Sequence, residues 1–413
     1  MQSTKTRNTG KKRIMLVVPM LDQGGLERVC ALTGQLLKKE YEVHLVVFNT
    51  EGMIYDVSGV HLIDLHLGAV ESKIGKIVNV YKRTKAVRKL KKQHDIQLTY
   101  SFGPTANIVN VLSKGKDITW IGIRGYGALS DKRRMQFTCK RADRVISCTK
   151  VMEQDINREF VTKSSATLYN PCDIDSIHVL SKIPVEELTK ENTQEKLHRI
   201  KEFINRPGKL IVSTGRSHDV KGFWHLIKSV ALVKKELPDT KLMIIGAGDY
   251  SEYKKLATEL GIEKDVLFTG VQKNPFALME AADLYALTSD SEGFPNALIE
   301  AMACGLPCVS VNCKTGPAEI LGEKYQDYEN QQKTYDAEYG ILTPVFVGEK
   351  NLDAKEIAKE EEIFAKVIKK LFTNEEMYQY YKKMSQNRVS DYSIGNYLNN
   401  IKVLIENDIK VAE

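Results

Sequence analysis

The sequence predicts an α/β protein built from two doubly wound domains, each a parallel sheet covered by helices. Three observations lead there. Short apolar runs rich in Val, Ile and Leu alternate with longer stretches of helical periodicity, as buried parallel strands and their crossover helices do. The alternation stops over a polar stretch, residues 176–208, and then restarts with the same design. The length of 413 residues also favours two cores over one, at roughly 100–200 residues per domain.

The elements follow in order. Residues 13–19 (RIMLVVP) read as a strand, Gly24-Gly25 as a turn, LERVCALTGQLLKKE as a helix and 43–48 (VHLVVF) as the next strand. Strand, glycine turn, helix, strand is the βαβ unit of a parallel sheet. VHLIDL (60–65), a helix over 72–93, IQLTY (96–100), ITWIGI (118–123), RVISC (144–148) and ATLYN (166–170) continue the first domain. Residues 176–208 are rich in Lys, Glu, Thr, Asn and Gln and end in Pro207-Gly208, which reads as a partly helical linker. The second domain runs through KLIVSTG (209–215), a helix over 221–236, KLMIIGAG (241–248), a helix over 251–261 and VLFTG (266–270). ADLYALTS (282–289), a helix over 295–304 and PCVSV (307–311) complete the pattern, and roughly 375–413 is again helical. The expected boundaries are 1–178 for the first Rossmann-like domain, 179–208 for the linker and 209–385 for the second. A C-terminal helix over 386–413 is expected to pack back toward the first. Two such domains place a cleft between them, with ligands at the carboxyl ends of the strands.

Composition narrows the function classes. Hydrophobic residues are 42% and charged residues 27%, ordinary for a globular chain, and apolar runs throughout exclude general disorder. The net charge of +7 is uneven: residues 1–175 carry 29 Lys+Arg against 17 Asp+Glu, whereas residues 176–413 carry 31 against 36. A basic first half calls for an anionic partner there. The opening MQSTKTRNTGKK has no apolar core and does not read as a secretory signal. No run reaches the ~20 apolar residues of a membrane span. Seven cysteines, an odd number mostly within apolar stretches, fit a reducing compartment, so a cytoplasmic location is expected. Cys304, Cys308 and Cys313 cluster without a nearby His and at spacings unlike a zinc site. His44, His61 and His66 lie in or beside strand patterns and read as structural.

The richest chemistry lies in 290–305, DSEGFPNALIEAMACG. Gly293 permits a turn, Pro295 suits a first helical turn and Gly305 a helix stop. The amides after Pro295, with the helix dipole behind them, suit a phosphate or a sugar oxygen. Glu292 lies in the loop, and Asn296 and Glu300 share a helix face four residues apart. Two carboxylates eight residues apart can meet different parts of one polyhydroxylated ligand.

EGFPNALIE followed by AMACGLP resembles the E-x7-E motif of retaining glycosyltransferases of the GT-B fold, specifically glycosyltransferase family 4. Further motifs of that family have counterparts here. The Gly24-Gly25 loop is similar to its first loop, and Gly215-Arg216…Lys221-Gly222 to its G-R-x(n)-K-G motif. Gly246 and Gly248 are similar to its G-x-G turn, Tyr169-Asn170-Pro171 to its pre-linker motif and Gly340-Ile341-Leu342 to its later G-I-L segment. The resemblance implies that Glu300 binds the donor's ribose hydroxyls and that Glu292 lies beside the transferred sugar. Gly293, Phe294, Pro295 and Asn296 would hold sugar hydroxyls or the diphosphate. Arg216 and Lys221 would clamp the diphosphate, with Gly24 and Gly25 letting backbone approach it. It implies no cofactor and no obligatory metal. Asp173-Ile174-Asp175 mimics a D-x-D metal motif but follows Asn170-Pro171, so it reads as a hinge or cap. Relatives place a histidine after the strand that here is ITWIGI. This chain has Arg124, expected to contact acceptor or donor there. His218 lies between Arg216 and Lys221, either facing the diphosphate or as a plain loop residue.

Residues 73–92 hold nine Lys or Arg, with Ile74, Ile77, Val78, Tyr81 and Leu90 as an apolar face; residues 132–144 add six more. Such a helix either lies on a membrane surface or packs its apolar side on its own sheet. No motif or aromatic platform for nucleic acid accompanies the charge. The resulting expectation is a hexose or N-acetylhexosamine transferred from a nucleotide sugar, a UDP-sugar, to a glycan or polyprenyl-linked acceptor in bacterial cell-surface polysaccharide assembly, with peripheral contact to the inner face of the membrane. The alternatives are a UDP-sugar epimerase of the same architecture or a non-catalytic nucleotide-sugar-binding partner. A phosphorylase would need a pyridoxal phosphate lysine, for which there is no motif.

Overall fold

The structure, a computed structural model, describes residues 10–22, 24–190 and 193–412. The basic opening read above, residues 1–9, lies outside the described residues. The chain divides into two compact units, one running to Pro171 and resuming at Gly395, the other spanning Cys172–Ile394.

The first unit holds β1 (Arg13–Val18), β2 (Glu42–Val47), β3 (His61–Asp64), β4 (Leu98–Phe102), β5 (Ile118–Ile123), β6 (Arg144–Ser147) and β7 (Ser165–Thr167). They form one parallel sheet in the order β3-β2-β1-β4-β5-β6-β7. The central strand β1 is buried from Ile14 to Val18, with Ile14 in register with Val43 and Leu98. A strand covered on both faces can be apolar at every position, which is why its sequence does not alternate.

The second unit holds β8 (Leu210–Thr214), β9 (Lys241–Ile245), β10 (Val266–Gly270), β11 (Leu284–Leu287), β12 (Cys308–Val311), β13 (Tyr335–Asp336) and β14 (Ile341–Thr343). Their order is β10-β9-β8-β11-β12-β14-β13, parallel except for the short β13 against β14. Both sheets reverse strand order at their middle, between β1 and β4 and between β8 and β11. Sheets of this kind bind ligands at such a switch point.

Three expectations need correction. The change of unit falls between Pro171 and Cys172, ahead of the expected 178. Residues 172–208 are not a separate linker: they carry helices Ile174–Ser181 and Gln194–Asn205 and belong to the second unit. Residues 386–389 finish the helix Glu375–Val389, and the last helix begins at Ile394.

That last helix, Ile394–Ala412, buries Tyr397, Ile401, Ile405 and Ile409, one residue per turn, in the same core as Leu16, Val18, Leu45 and Trp120. Polar contacts lock it in register. Asp408 accepts hydrogen bonds from Trp120 Nε1 at 2.8 Å and from Arg144 Nε at 2.8 Å and Nη2 at 2.5 Å. Asp408→Ala leaves a fully buried indole N–H and a mostly buried guanidinium without their acceptor. We expect a loss of ~2 kcal/mol, read as a fall of roughly 4–8 °C in the thermal midpoint. Asp408→Asn, which still accepts from Trp120, should lose less. Equal midpoints for wild type and Asp408→Ala would refute the anchoring role.

Of the two readings of helix Lys73–Gln93, the structure packs Val80, Val87 and Leu90 on the core but not the rest of the apolar face. It turns Asn79, Arg83, Val87 and Lys91 inward and leaves Ile74, Ile77, Val78 and Tyr81 exposed. The inward polar groups are satisfied, which makes their burial tolerable. Asn79 Nδ2 donates to Gly68 O, Arg83 Nε to Leu67 O at 2.9 Å, and the Arg83 guanidinium lies 4.3 Å from the Phe48 ring centre. Lys91 pairs with Asp117 at 2.8 Å.

Candidate functional site

The second unit brings several of the singled-out residues to the carboxyl ends of its strands. The chain leaves β8 through Gly215, Arg216 and Ser217, makes a short turn over Asp219–Lys221 and enters helix Phe223–Lys234 at Gly222. Gly222 is left-handed, with φ of 60°, and a Cβ there would stand 2.3 Å from Thr288 O, so the loop after β11 packs on bare backbone. Two hydrogen bonds complete that junction, Thr288 Oγ1 to Lys221 O at 3.0 Å and Asp290 N to Val220 O at 2.9 Å.

These bonds place Lys221 against Glu292: Nζ donates to Oε1 at 2.7 Å, with the two side chains 25% and 12% exposed. One comes from the loop after β8 and the other from the loop after β11, so the ion pair sits at the topological switch point. The Glu292 carbonyl accepts from Thr315 Oγ1 in the loop after β12. Arg216 shares the first loop with Lys221 but is exposed, and no described residue pairs with it. A cation without a protein partner beside a paired one leaves this rim with positive charge for an anion.

Glu300 lies on helix Asn296–Ala303 and is buried, while Asn296 is half-buried one turn earlier on the same face. Pro295 stands at the N-cap, where it supplies no side-chain cap. Gly316, with φ of 98°, comes so close to Pro295 that a Cβ would lie 2.3 Å from its Cδ. Phe294 is buried edge-on against Tyr392, with ring centres 5.4 Å apart. Gly293 is half-buried between Glu292 and Phe294. The segment is therefore held rigidly from Glu292 to Glu300.

The loop after β9 supports the loop after β8. Gly215 N donates to Ile245 O at 2.9 Å and Ser217 N to Ala247 O at 2.7 Å. Tyr250 Oη donates to Gly215 O at 2.9 Å; burial pushes its phenol up to about 12, so it keeps the proton it donates. Tyr250 and Thr315 escaped sequence reasoning: neither carries a motif, and only tertiary packing shows that they hold loops bearing charge.

In the first unit, Gly24 and Gly25 open helix Gly25–Leu37 after β1. Gly24 has φ of −169°, an extended value open to any residue, and a Cβ there meets the flexible end of the Glu27 side chain. Its carbonyl accepts from Tyr55 Oη at 2.9 Å. Arg124 follows β5 and is engaged internally: Nη1 donates to Leu168 O at 3.0 Å and Asn170 Oδ1 at 2.8 Å, and Nη2 to Tyr100 Oη. It ties the ends of β4 and β7 together.

His218 is exposed, and its Nδ1 accepts from Val220 N at 3.2 Å, capping the Asp219–Lys221 turn. Asp173 caps helix Ile174–Ser181, accepting from Ser176 N at 3.1 Å and Ser176 Oγ at 2.8 Å. Cys308 and Cys313 are buried and Cys304 is half-buried.

Comparison with known proteins converges on one class. Residues 194–337, which hold Arg216, Lys221, Glu292, Asn296 and Glu300, match the family model for glycosyl transferases group 1. An uncharacterized glycosyltransferase of Methanocaldococcus jannaschii is 30% identical over 276 residues, an alignment spanning 65% of this chain and 65% of that protein. The N-acetylgalactosamine-N,N'-diacetylbacillosaminyl-diphospho-undecaprenol 4-alpha-N-acetylgalactosaminyltransferase of Campylobacter jejuni is 25% identical over 352 residues, 81% of this chain and 86% of that one. Among solved structures, Anabaena HepE in complex with UDP and glucose superposes with a TM-score of 0.70 at 17% identity, over 96% of this chain and all of that one. That likeness establishes the fold, two parallel-sheet α/β domains of the GT-B type.

Proposed function

We propose that the chain, whose residues 194–337 match the group 1 glycosyl transferases, is a glycosyltransferase that moves a hexose or N-acetylhexosamine, with retention, from a UDP-sugar to a lipid-linked glycan. The observation that carries the reading is the Lys221–Glu292 pair at the switch point, one helical segment from the buried Glu300, all inside the family-matched region.

The chemistry follows from charge. When the bond from sugar to diphosphate breaks, the leaving nucleoside diphosphate gains negative charge, and fixed cations lower that barrier. Lys221 and Arg216 supply them on one loop. Glu292, held by Lys221, lies beside the sugar, and the backbone of Gly293, Phe294, Pro295 and Asn296 holds its hydroxyls or the diphosphate. Glu300 accepts hydrogen bonds from the ribose hydroxyls. The leaving phosphate helps take the acceptor's proton. This chemistry calls for no cofactor and no metal.

The donor assignment leans on HepE, which carries UDP and glucose, and the acceptor on the Campylobacter relative, named for a diphospho-undecaprenol substrate. A polyprenyl diphosphate acceptor would put the reaction at the inner face of a bacterial membrane. Among the described residues no helix is long and apolar enough to cross one, so contact there would be peripheral.

The test is UDP release from a panel of UDP-sugars with polyprenyl-linked acceptors. Glu300→Ala is expected to raise the donor KM about 10–100-fold, since it removes ground-state contacts to the ribose. An unchanged KM would refute the ribose role. Tight UDP binding with no transfer from any donor would instead mark the chain as a non-catalytic partner.

A further inference from the structure

We infer that the exposed face of helix Lys73–Gln93 docks on an anionic phospholipid surface. This deepens the peripheral contact proposed above by naming the surface and its lipid chemistry, yet it is testable without any sugar transfer.

The face has two halves. Ile74, Ile77, Val78 and Tyr81 stand at i, i+3, i+4 and i+7, one stripe of an α-helix, and are 77%, 72%, 44% and 67% exposed. Val70, just ahead of the helix and within reach of Gly75, extends the patch. Along the same line, Lys85, Arg88, Lys89 and Lys92 follow at i+11, i+14, i+15 and i+18, all exposed, and the helix contains no acidic residue. The inward side is already satisfied by Phe48, Leu67, Gly68 and Asp117, so turning the helix over to hide the apolar stripe would bury cations and expose packed groups.

Large exposed apolar side chains on one stripe mark an interaction surface. The cations choose the occupant. At 1.5 Å per residue, the 21-residue helix is about 30 Å long, so its apolar half can enter the headgroup boundary while its basic half lies over anionic headgroups. A soluble polyanion would use the lysines and leave the isoleucines in water. The second basic helix, Lys132–Arg141, is less available: Lys132 pairs with Glu159, and Arg144, just beyond it, is held by Asp408.

The experiment is co-sedimentation of the full chain, without donor, with vesicles of phosphatidylcholine alone or with ~30% phosphatidylglycerol. Binding is expected to be at least tenfold tighter to the anionic vesicles and to fall away as salt rises toward ~0.5 M. K85Q/K89Q/K92Q should weaken it about 100-fold, at roughly fivefold per cation. I74S/I77S/Y81S should weaken it tenfold or more while keeping the salt dependence. Unchanged thermal midpoints would show that both variants fold, since every substituted side chain is exposed. Equal binding to neutral and anionic vesicles, insensitivity to both variants, binding of polyanionic RNA with no vesicle binding, or self-association through the stripe in its place would each overturn the inference.

Discussion

Lys221→Ala is expected to lower kcat/KM for the UDP-sugar about 10²–10³-fold while leaving the thermal midpoint within a few degrees of wild type. Two effects combine. On the proposed mechanism the variant removes the cation that clamps the diphosphate, a loss of the size seen when one preorganised donor leaves a transition-state site. It also strips Glu292 of the ammonium 2.7 Å away, leaving a mostly buried carboxylate facing an anionic substrate. The second effect predicts its own signature. In a double-mutant cycle, Glu292→Ala on top of Lys221→Ala should cost much less than Glu292→Ala alone, because the charge left unpaired by the first change is gone. Lys221→Arg should recover part of the rate but not all, since a planar guanidinium does not replace a point charge on the same stem. Initial rates of UDP release measure all four variants beside wild type. A Lys221→Ala enzyme within threefold of wild type would remove Lys221 from the mechanism.

The same pair shows where sequence reading ends. Lys221 and Glu292 were both singled out, one by its glycine-flanked loop and the other by its turn-helix segment, but they are 71 residues apart. Their contact exists because β8 and β11 are neighbours in the sheet, a fact of strand order and not of either loop. Strands such as β1, β5 and β8 were legible because burial on both faces leaves continuous Val/Ile/Leu runs. Helix Pro104–Leu112 was not, because it buries Asn107 and Asn110, whose amides donate to Gly122 O and Trp120 O and so are polar without being exposed. Helix Lys73–Gln93 shows the opposite failure. Periodicity found Ile74, Ile77, Val78 and Tyr81 but added Leu90, which packs inward, and it says nothing about which way the stripe faces; Arg83 and Lys91, with acceptors fixed by the fold, decided that. Arg124 was read as facing a substrate, and only the structure shows Leu168 O and Asn170 Oδ1 taking up its Nη1.

Gly246→Ala is expected to be the most damaging small substitution in the second unit, costing ~3 kcal/mol or more and weakening UDP binding with it. Gly246 follows β9 with φ of 155°, and a Cβ would fall 1.8 Å from Gly215 O. That carbonyl cannot simply retreat. It accepts from Tyr250 Oη at 2.9 Å, and its own residue's N–H is bonded to Ile245 O, so relief must break contacts or move the loop that carries Arg216 and leads to Lys221. Backbone strain of ~1–3 kcal/mol and overpacking of ~1–3 kcal/mol therefore fall on one site. Gly261→Ala separates the two. Gly261 also has positive φ, 71°, but nothing lies within 4 Å of its Cβ position, so it should show strain of ~1–2 kcal/mol alone and leave UDP binding untouched. The readouts are the thermal midpoint and the stabilisation produced by saturating UDP. With 1 kcal/mol worth roughly 2–4 °C in a unit of this size, Gly246→Ala should melt about 6–12 °C below wild type, and its UDP-dependent shift should shrink. If the two alanine variants melt together and respond to UDP alike, the close approach of Gly246 to Gly215 does not hold the donor loop in place.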